Sequence, residues 1–306
     1  ALQQGRVSYA NVPYEILSKY CCMDVAVTYS LYTLFSQQLE SNEALLRIYN
    51  EITHPALEMV VDLKSNGIII DLDVLDKIEV YYTTMQRSAI SEIHKNAVCV
   101  KHKCTLDPGS KKQVAELLFT KEGLTPPKTT KTGLISCDEE ALKKVIASPE
   151  TSEDVKALIA SVLKYTKAST YLNTFITGLR PFIKDGRVHP NYLLIGTETG
   201  RLASVKPNML NTPSDYDENT PKEMRMKRIM TAPKGYKFLS ADYSQIELRN
   251  AANCSLEPFL VEAYQKGGDV HEQTARIIFG ATANITKKKR RLGKTVNFSN
   301  IYGAGV

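Results

Sequence analysis

A chain of 306 residues exceeds what one small domain needs, so two or three domains are expected. Hydrophobic residues at 43% and charged residues at 24% sit near the globular average, which excludes collagen-like and wholly disordered chains. Lys and Arg number 39 against 33 Asp and Glu, a net charge of +6. The excess is local. From Gln273 onward there is no carboxylate, while Arg276, Lys287, Lys288, Lys289, Arg290, Arg291 and Lys294 are all cationic. A field of that kind suits a polyphosphate or a nucleic-acid backbone; a solvated helix face is the plainer alternative. No apolar run approaches the roughly 18 to 20 residues that span a bilayer, so no membrane partner is expected. The chain begins at Ala1 with no basic-then-apolar leader, which reads as a trimmed N-terminus or a piece of a longer chain.

In chain order, residues 11–39 predict a loop and then a helix with an apolar stripe of Val25, Leu31, Leu34 and Phe35. A second helix is predicted over Glu43 to Lys64, closed by Asn66-Gly67 and followed by a strand at Ile68-Ile69-Ile70. Asp71 to His94 is again helical. Cys99 to Gly133 is basic and rich in turn residues. It holds Asp107-Pro108-Gly109-Ser110, a short helix from Lys111 to Phe119, and the Lys/Thr-rich segment Thr125 to Gly133, which reads as a loop touching phosphates or simply a solvated one. Helices are expected at Asp138 to Ile146 and Ser152 to Leu172. The character changes at Pro181: Gly186 to Ile195 and Tyr236 to Ala241 are strand-like, with turn chemistry between them. After Ser255 the pattern is helical to the end. The fold class is mixed α/β.

Cys99 and Cys104 flank His102, which invites a zinc reading, but a structural site needs four ligands and no second close pair follows. Reduced thiols are the default, and an intracellular setting, cytoplasm or nucleoid, is expected. Tyr236 to Ala241 leads to Asp242, and an acid at the exit of a core strand suits a hard cation such as Mg²⁺; an ordinary helix N-cap is the alternative. The last helix, with Thr286 as N-cap, is more specific. Arg290, Lys294, Phe298 and Tyr302 recur every fourth residue and drift by only about 40° per step, so they form one gently wrapped face about 18 Å long. Two cations followed by two rings match a nucleoside triphosphate: charge for the phosphates, rings for sugar and base. Gly293-Lys294-Thr295 is not a phosphate-binding loop, because the glycine that motif wants at position 288 is a lysine.

These segments resemble the family-A DNA polymerases, the group of bacterial DNA polymerase I. Ser240-Ala241-Asp242-Tyr243-Ser244-Gln245-Ile246-Glu247-Leu248-Arg249 is similar to the family's first palm motif. Arg290 to Gly303 resembles its fingers-helix motif, R-x3-K-x3-(F/Y)-x3-YG. Thr197-Glu198-Thr199-Gly200-Arg201-Leu202-Ala203-Ser204 resembles T-x-T-G-R-L-S-S, Pro207 to Pro213 resembles P-N-L-Q-N-I-P, and Asp269-Val270-His271 matches D-I-H. Upstream, Lys167-Ala168-Ser169-Thr170-Tyr171 is similar to the K-x-S-T-Y that joins thumb and palm. Ser110 to Phe119 resembles the thumb tip, and Tyr20 to Asp24 fits the Y-x3-D of the 3′–5′ exonuclease.

The resemblance implies the right-hand polymerase architecture. Residues 1–40 would be the tail of an exonuclease-like domain, 41–72 the helix and strand leading into the palm, 73–185 the thumb, 186–256 the palm and 257–306 the start of the fingers. It implies template-directed DNA synthesis by a two-metal mechanism, with Mg²⁺ as cofactor and primer–template DNA and deoxynucleoside triphosphates as partners. Asp242 would hold metal. Arg290 and Lys294 would grip the triphosphate, with His271 near its far phosphates. Phe298 would pack under sugar and base, and Tyr302 near base and template. Glu247 would close the sugar pocket against a 2′-OH, with Gln245 beside it. Arg201 would probe the minor groove, with Asn208, Asn211 and Lys167 as further DNA contacts. Asp24, with Tyr20 orienting water, would serve the exonuclease metal site.

The chain departs from the family pattern at Leu210 (usually Gln), Gly293 (usually Ala), Ser299 (usually Gly) and Asn300 (usually apolar). Gly293 costs about 1 kcal/mol in helix propensity. The family's second palm carboxylate, in a His-Asp-Glu turn, and its first two exonuclease motifs fall outside Ala1–Val306. As written, the chain would turn over negligibly. A non-catalytic relic that grips primed DNA is the competing reading, and Glu247 argues against a single-subunit RNA polymerase.

Overall fold

The computed structural model describes residues 9–129, 133–213 and 220–303; Thr130, Lys131 and Thr132 of the Lys/Thr-rich segment lie outside them. The chain divides into two compact units, residues 1–237 and 238–306.

In the first unit, α1 (Tyr14–Glu40) is followed by α2 (Glu43–Ile48), whose Asn42 cap accepts a hydrogen bond from the Leu45 amide. A π-helical stretch, Tyr49–Thr53, runs into α3 (His54–Asn66). Val25, Leu31, Leu34 and Phe35 of α1 are exposed. Gly67 ends α3 at φ 61°, and a Cβ there would stand 2.6 Å from the Val188 carbonyl oxygen, so both conformation and space require glycine. The chain then enters β1 (Ile68–Ile70), the centre of a three-stranded antiparallel sheet between β2 (Arg187–Val188) and β5 (Met230–Thr231). The strand-like run from Gly186 to Ile195 is broken. Its first part joins that sheet as β2, and its second, β3 (Asn191–Leu193), pairs with β4 (Ala203–Val205). Pro190 divides the two, having no amide hydrogen to give a ladder.

α4 (Leu72–Lys95), capped by Asp71, packs along α8 (Glu153–Thr170), capped by Ser152. α5 (Ala97–Lys101), α6 (Lys111–Ala115) and α7 (Glu139–Ala147) fold around one end of this pair. The expected helix to Phe119 continues as a π-helical segment, Glu116–Lys121, and α8 likewise continues as Tyr171–Thr177. Two apolar cores result. One gathers Ile93, Val98, Leu117, Leu118, Leu158 and Ile159; the other gathers Ile70, Leu75, Ile78, Tyr82, Ile176 and Val188. Each fully buried aliphatic side chain contributes about 1.5–3 kcal/mol. The zinc reading has a different outcome: His102 Nε2 pairs with Glu122, which also accepts from Lys101, and burial pushes the Cys99 thiol up to about 11.

The expected strand Tyr236 to Ala241, which runs from the end of the first unit into the second, does not form. No described strand pairs with it, and Phe238 and Leu239 are exposed, so neither a ladder nor burial holds it extended. Four helices follow: α9 (Ile246–Ser255), α10 (Pro258–Gln265), α11 (Val270–Phe279) and α12 (Lys287–Ile301). Thr286 caps α12 as its sequence predicts, accepting from the Lys289 amide. α11 and α12 pack closely at Gly293, where a Cβ would meet the His271 carbonyl oxygen at 2.2 Å. The chain is thus predominantly helical with small antiparallel strands. Among the described residues no helix is long and apolar enough to cross a membrane.

Candidate nucleotide-binding site

The fourfold spacing on α12 produces the expected face. Lys294 Nζ lies 5.5 Å from the Phe298 ring centre, and Phe298 stacks on Tyr302 with centroids 6.2 Å apart and planes 16° from parallel. Arg290 is partly exposed at the N-terminal end of this row. Its Nε donates to Asp269 Oδ2 at 2.7 Å. Asp269 also caps α11, accepting through Oδ1 from the amides of His271 and Glu272. Burial alone would raise the Asp269 carboxyl, but Arg290 and the two amides outweigh it and hold it below the usual range.

His271 is buried against this row, 5.8 Å from Phe298 between ring centres. Burial pushes its pKa down, the nearby charges of Arg290 and Lys294 add to the effect, and Asp269 opposes it, so the neutral form of the ring is favoured. Asn297 Nδ2 stands 3.1 Å from His271 Nδ1, and Thr274 Oγ1 stands 2.9 Å from Asn297 Oδ1. At the other end of the row, the Tyr302 hydroxyl donates to Glu247 Oε2 at 2.8 Å. Gln245, in the left-handed region at φ 54°, accepts from the Tyr264 hydroxyl at 2.9 Å, and Arg249 lies over the Tyr264 ring at 4.4 Å. Lys294, Phe298, Tyr302, His271 and Glu247 are therefore linked by direct contacts within one unit, Arg290 joins them through Asp269, and Gln245 lies two residues from Glu247 at the start of α9.

Asp242 does not join these contacts. It is exposed on irregular backbone, neither at a strand exit nor at the cap of α9, whose N-cap is Gln245. Among the described residues no three His, Cys, Asp or Glu side chains converge as metal ligands.

In the first unit, Arg201 is exposed beyond the turn at Gly200, its carbonyl accepting from Thr197 Oγ1. Asn208 and Asn211 are also exposed, but Asn208 Oδ1 is occupied by the Ser204 hydroxyl and the Asn211 amide, which brace the loop. Lys167 is half-buried and donates to the Thr220 hydroxyl at 3.0 Å; desolvation lowers its pKa. Tyr20 and Asp24 sit one turn apart on α1, where Asp24 accepts from the Tyr20 hydroxyl and raises its pKa. Asn297, Thr274 and Asp269 were not singled out as site residues from the sequence. An Asn in mid-helix is a weak signal, since its propensity is poor and its partner lies on another helix.

A helix lined by cations and then by stacked rings thus lies against a buried histidine. The profile of DNA polymerase family A matches residues 77–306, three quarters of the chain, and the chain belongs to that family. It is 30% identical over 305 residues to the DNA polymerase I of Chloroflexus aurantiacus, covering 97% of this chain and 31% of that one. It is 33% identical over 306 residues to the DNA polymerase I of Aquifex aeolicus, covering 96% and 50%. The chain thus spans about a third to a half of the length of these relatives. Among solved structures it is similar to the POL domain of Pol1 from M. smegmatis in complex with DNA primer-template and dNTP, at a TM-score of 0.74 and 26% identity, covering 87% of this chain and 45% of that one.

Proposed function

We propose that this chain is the part of a template-directed DNA polymerase that binds the incoming deoxynucleoside triphosphate and grips the primer–template. The observation that carries the reading is the row Arg290–Lys294–Phe298–Tyr302, with His271 behind it and Glu247 at its end. Arg290 and Lys294 neutralise the polyphosphate; Arg290, held through Nε, keeps its two terminal nitrogens for bidentate contact with phosphate oxygens. Phe298 and Tyr302 offer faces to sugar and base. Glu247, fixed by the Tyr302 hydroxyl, fills the space a ribose 2′-OH would need. Asp242 would offer a carboxylate to a two-metal Mg²⁺ site, which when bound would supply activation of the primer 3′-OH and charge stabilisation for the leaving pyrophosphate.

In this reading residues 73–185 form the thumb, 186–256 belong to the palm and 257–306 begin the fingers. Arg201, Asn208, Asn211 and Lys167 lie toward the duplex. Tyr20 and Asp24 on α1 belong to a 3′–5′ exonuclease-like segment, and the protein works on intracellular DNA.

The test is primer extension by the whole natural protein that contains this chain, with Mg²⁺ and the four deoxynucleotides. Asp242→Ala abolishes extension, and Lys294→Ala raises the KM for deoxynucleotide by at least tenfold. Extension that survives Asp242→Ala would end the catalytic assignment. A protein that binds primed DNA but extends nothing, with every residue intact, would be a duplex-binding relic.

A further inference from the structure

His271 sits where its hydrogen-bonding state depends on a neighbour. Its Nδ1 faces Asn297 Nδ2 at 3.1 Å, while Nε2 has no hydrogen-bond partner among the described residues. An amide nitrogen can only donate, so Nδ1 must accept and the ring's single proton must sit on Nε2. The opposite arrangement requires the Asn297 amide to be turned over, placing its oxygen on Nδ1 and its nitrogen on Thr274 Oγ1. Two contacts of Thr274 decide between them. Its hydroxyl lies 2.9 Å from Asn297 Oδ1 and 2.9 Å from the Val270 carbonyl, and it has one proton to give. The Val270 carbonyl lies within α11, where the Thr274 amide is placed to bond it. Asn297 Oδ1 has no other donor among the described residues, so the proton is worth more there.

We propose that Asn297, oriented by Thr274, is a positioning residue that fixes His271 as the Nε2–H tautomer, so that the imidazole offers a neutral donor to the triphosphate beside Arg290 and Lys294. This rests on the nucleotide-binding reading above and names the residue that sets one of its contacts. A neutral donor suits the place: Arg290 and Lys294 already supply the charge, Asp269 is spent on Arg290 and the α11 amides, and a third cation would be repelled by the first two. The relay also uses the close approach of α11 and α12 at Gly293, which brings Asn297 within reach of His271.

The test has two arms, both on the 306-residue chain at pH 8.5. In the first, ¹⁵N NMR of the five histidines, with His271→Gln for assignment, reads the tautomer directly. Wild type should show an unprotonated Nδ1 and a protonated Nε2 for His271. Asn297→Asp, which has the same shape but can only accept, should move the proton to Nδ1. A wild-type ring protonated at Nδ1, or a tautomer indifferent to Asn297→Asp, overturns the proposal. The fold of the second unit in each variant is checked by unchanged backbone amide signals from α9 and α10, which lie in the same unit.

In the second arm, dATP with Mg²⁺ is titrated into wild type, Asn297→Asp, His271→Gln and the double variant. Each single change should weaken binding about tenfold. The double variant should be no weaker than either single one, because both remove the same Nε2 donor. Losses that multiply would mean that Asn297 acts independently of His271, and the positioning role would fall. Wild type failing to bind dATP would refute the nucleotide-binding reading, and with it the purpose of the relay, while the first arm still reports whether Asn297 sets the tautomer.

Discussion

Gly293 offers the sharpest test of the packing that builds the site. On propensity alone, Gly293→Ala should stabilise α12 by about 1 kcal/mol. The contacts argue the other way. The new Cβ would fall 2.2 Å from the His271 carbonyl oxygen, 3.0 Å from the Ala275 amide nitrogen and 3.3 Å from the Ala275 Cβ, and the first two are backbone atoms that cannot swing aside. Relief requires α11 and α12 to separate by more than 1 Å, and overpacking of this kind costs about 1–3 kcal/mol. With the propensity gain subtracted, the net expectation is a loss of up to about 2 kcal/mol in place of the gain of about 1 that propensity alone would give, confined to the second unit. Because the chain has two units, global melting would blur this, so amide hydrogen exchange is the better assay. Opening free energies should fall in α11 and α12 and stay unchanged in α4 and α8. The ring contact between His271 and Phe298 should loosen with them. Protection in α12 that rises by about 1 kcal/mol would show that propensity decides, and that the two helices do not meet as described.

Three further outcomes follow from the same geometry. In the whole natural protein, the role proposed for Glu247 predicts that Glu247→Ala raises ribonucleotide use, since it removes the acceptor of the Tyr302 hydroxyl at 2.8 Å; an unchanged sugar preference removes that role. Glu122→Gln should lower the stability of the first unit by about 1 kcal/mol at pH 7. Lys101 holds this carboxylate below the usual range, with burial opposing and His102 assisting, so the contribution is present above the ordinary glutamate pKa and lost as pH falls through the lowered one. Urea unfolding at pH 7 and about pH 3 checks this, and a gap between wild type and variant that survives acid contradicts it. Leu158→Ala, at 1% exposure in the core around Leu117 and Ile159, should cost about 2–5 kcal/mol by calorimetry of the same unit; a loss below 1 kcal/mol would mean that core collapses around the gap.

Helix positions were legible because their starts are local chemistry. Asp71, Ser110, Asp138, Ser152 and Thr286 each accept from the amide three residues on, and each precedes the helix the apolar period predicts. Strands were less so, because pairing is a property of two segments. Ile68–Ile70 has partners on both sides, whereas Tyr236 to Ala241, with the same apolar character, has none among the described residues and stays irregular. The site divides the same way. The α12 row could be counted off a single helix, but the Asp269–Arg290 pair and the Asn297–His271 contact depend on α11 arriving against α12, which no spacing announces. Gly293 shows the difference most plainly: within its own helix it is a defect, and across the interface it is what lets the helices meet.

The two cores of the first unit are not independent. α4 gives Leu75, Ile78 and Tyr82 to one and Ile93 to the other, and α8 gives Ala168 to the first and Val155, Leu158, Ile159 and Val162 to the second. The pair therefore joins the two cores as one lever. At 24 residues α4 is about 36 Å long, close to one turn of B-form duplex. A tilt of about 10° at the sheet end carries the far end through roughly 6 Å. A change in packing around Tyr82 and Tyr171, whose rings stack 4.3 Å apart, would therefore be felt through the same two helices in the other core.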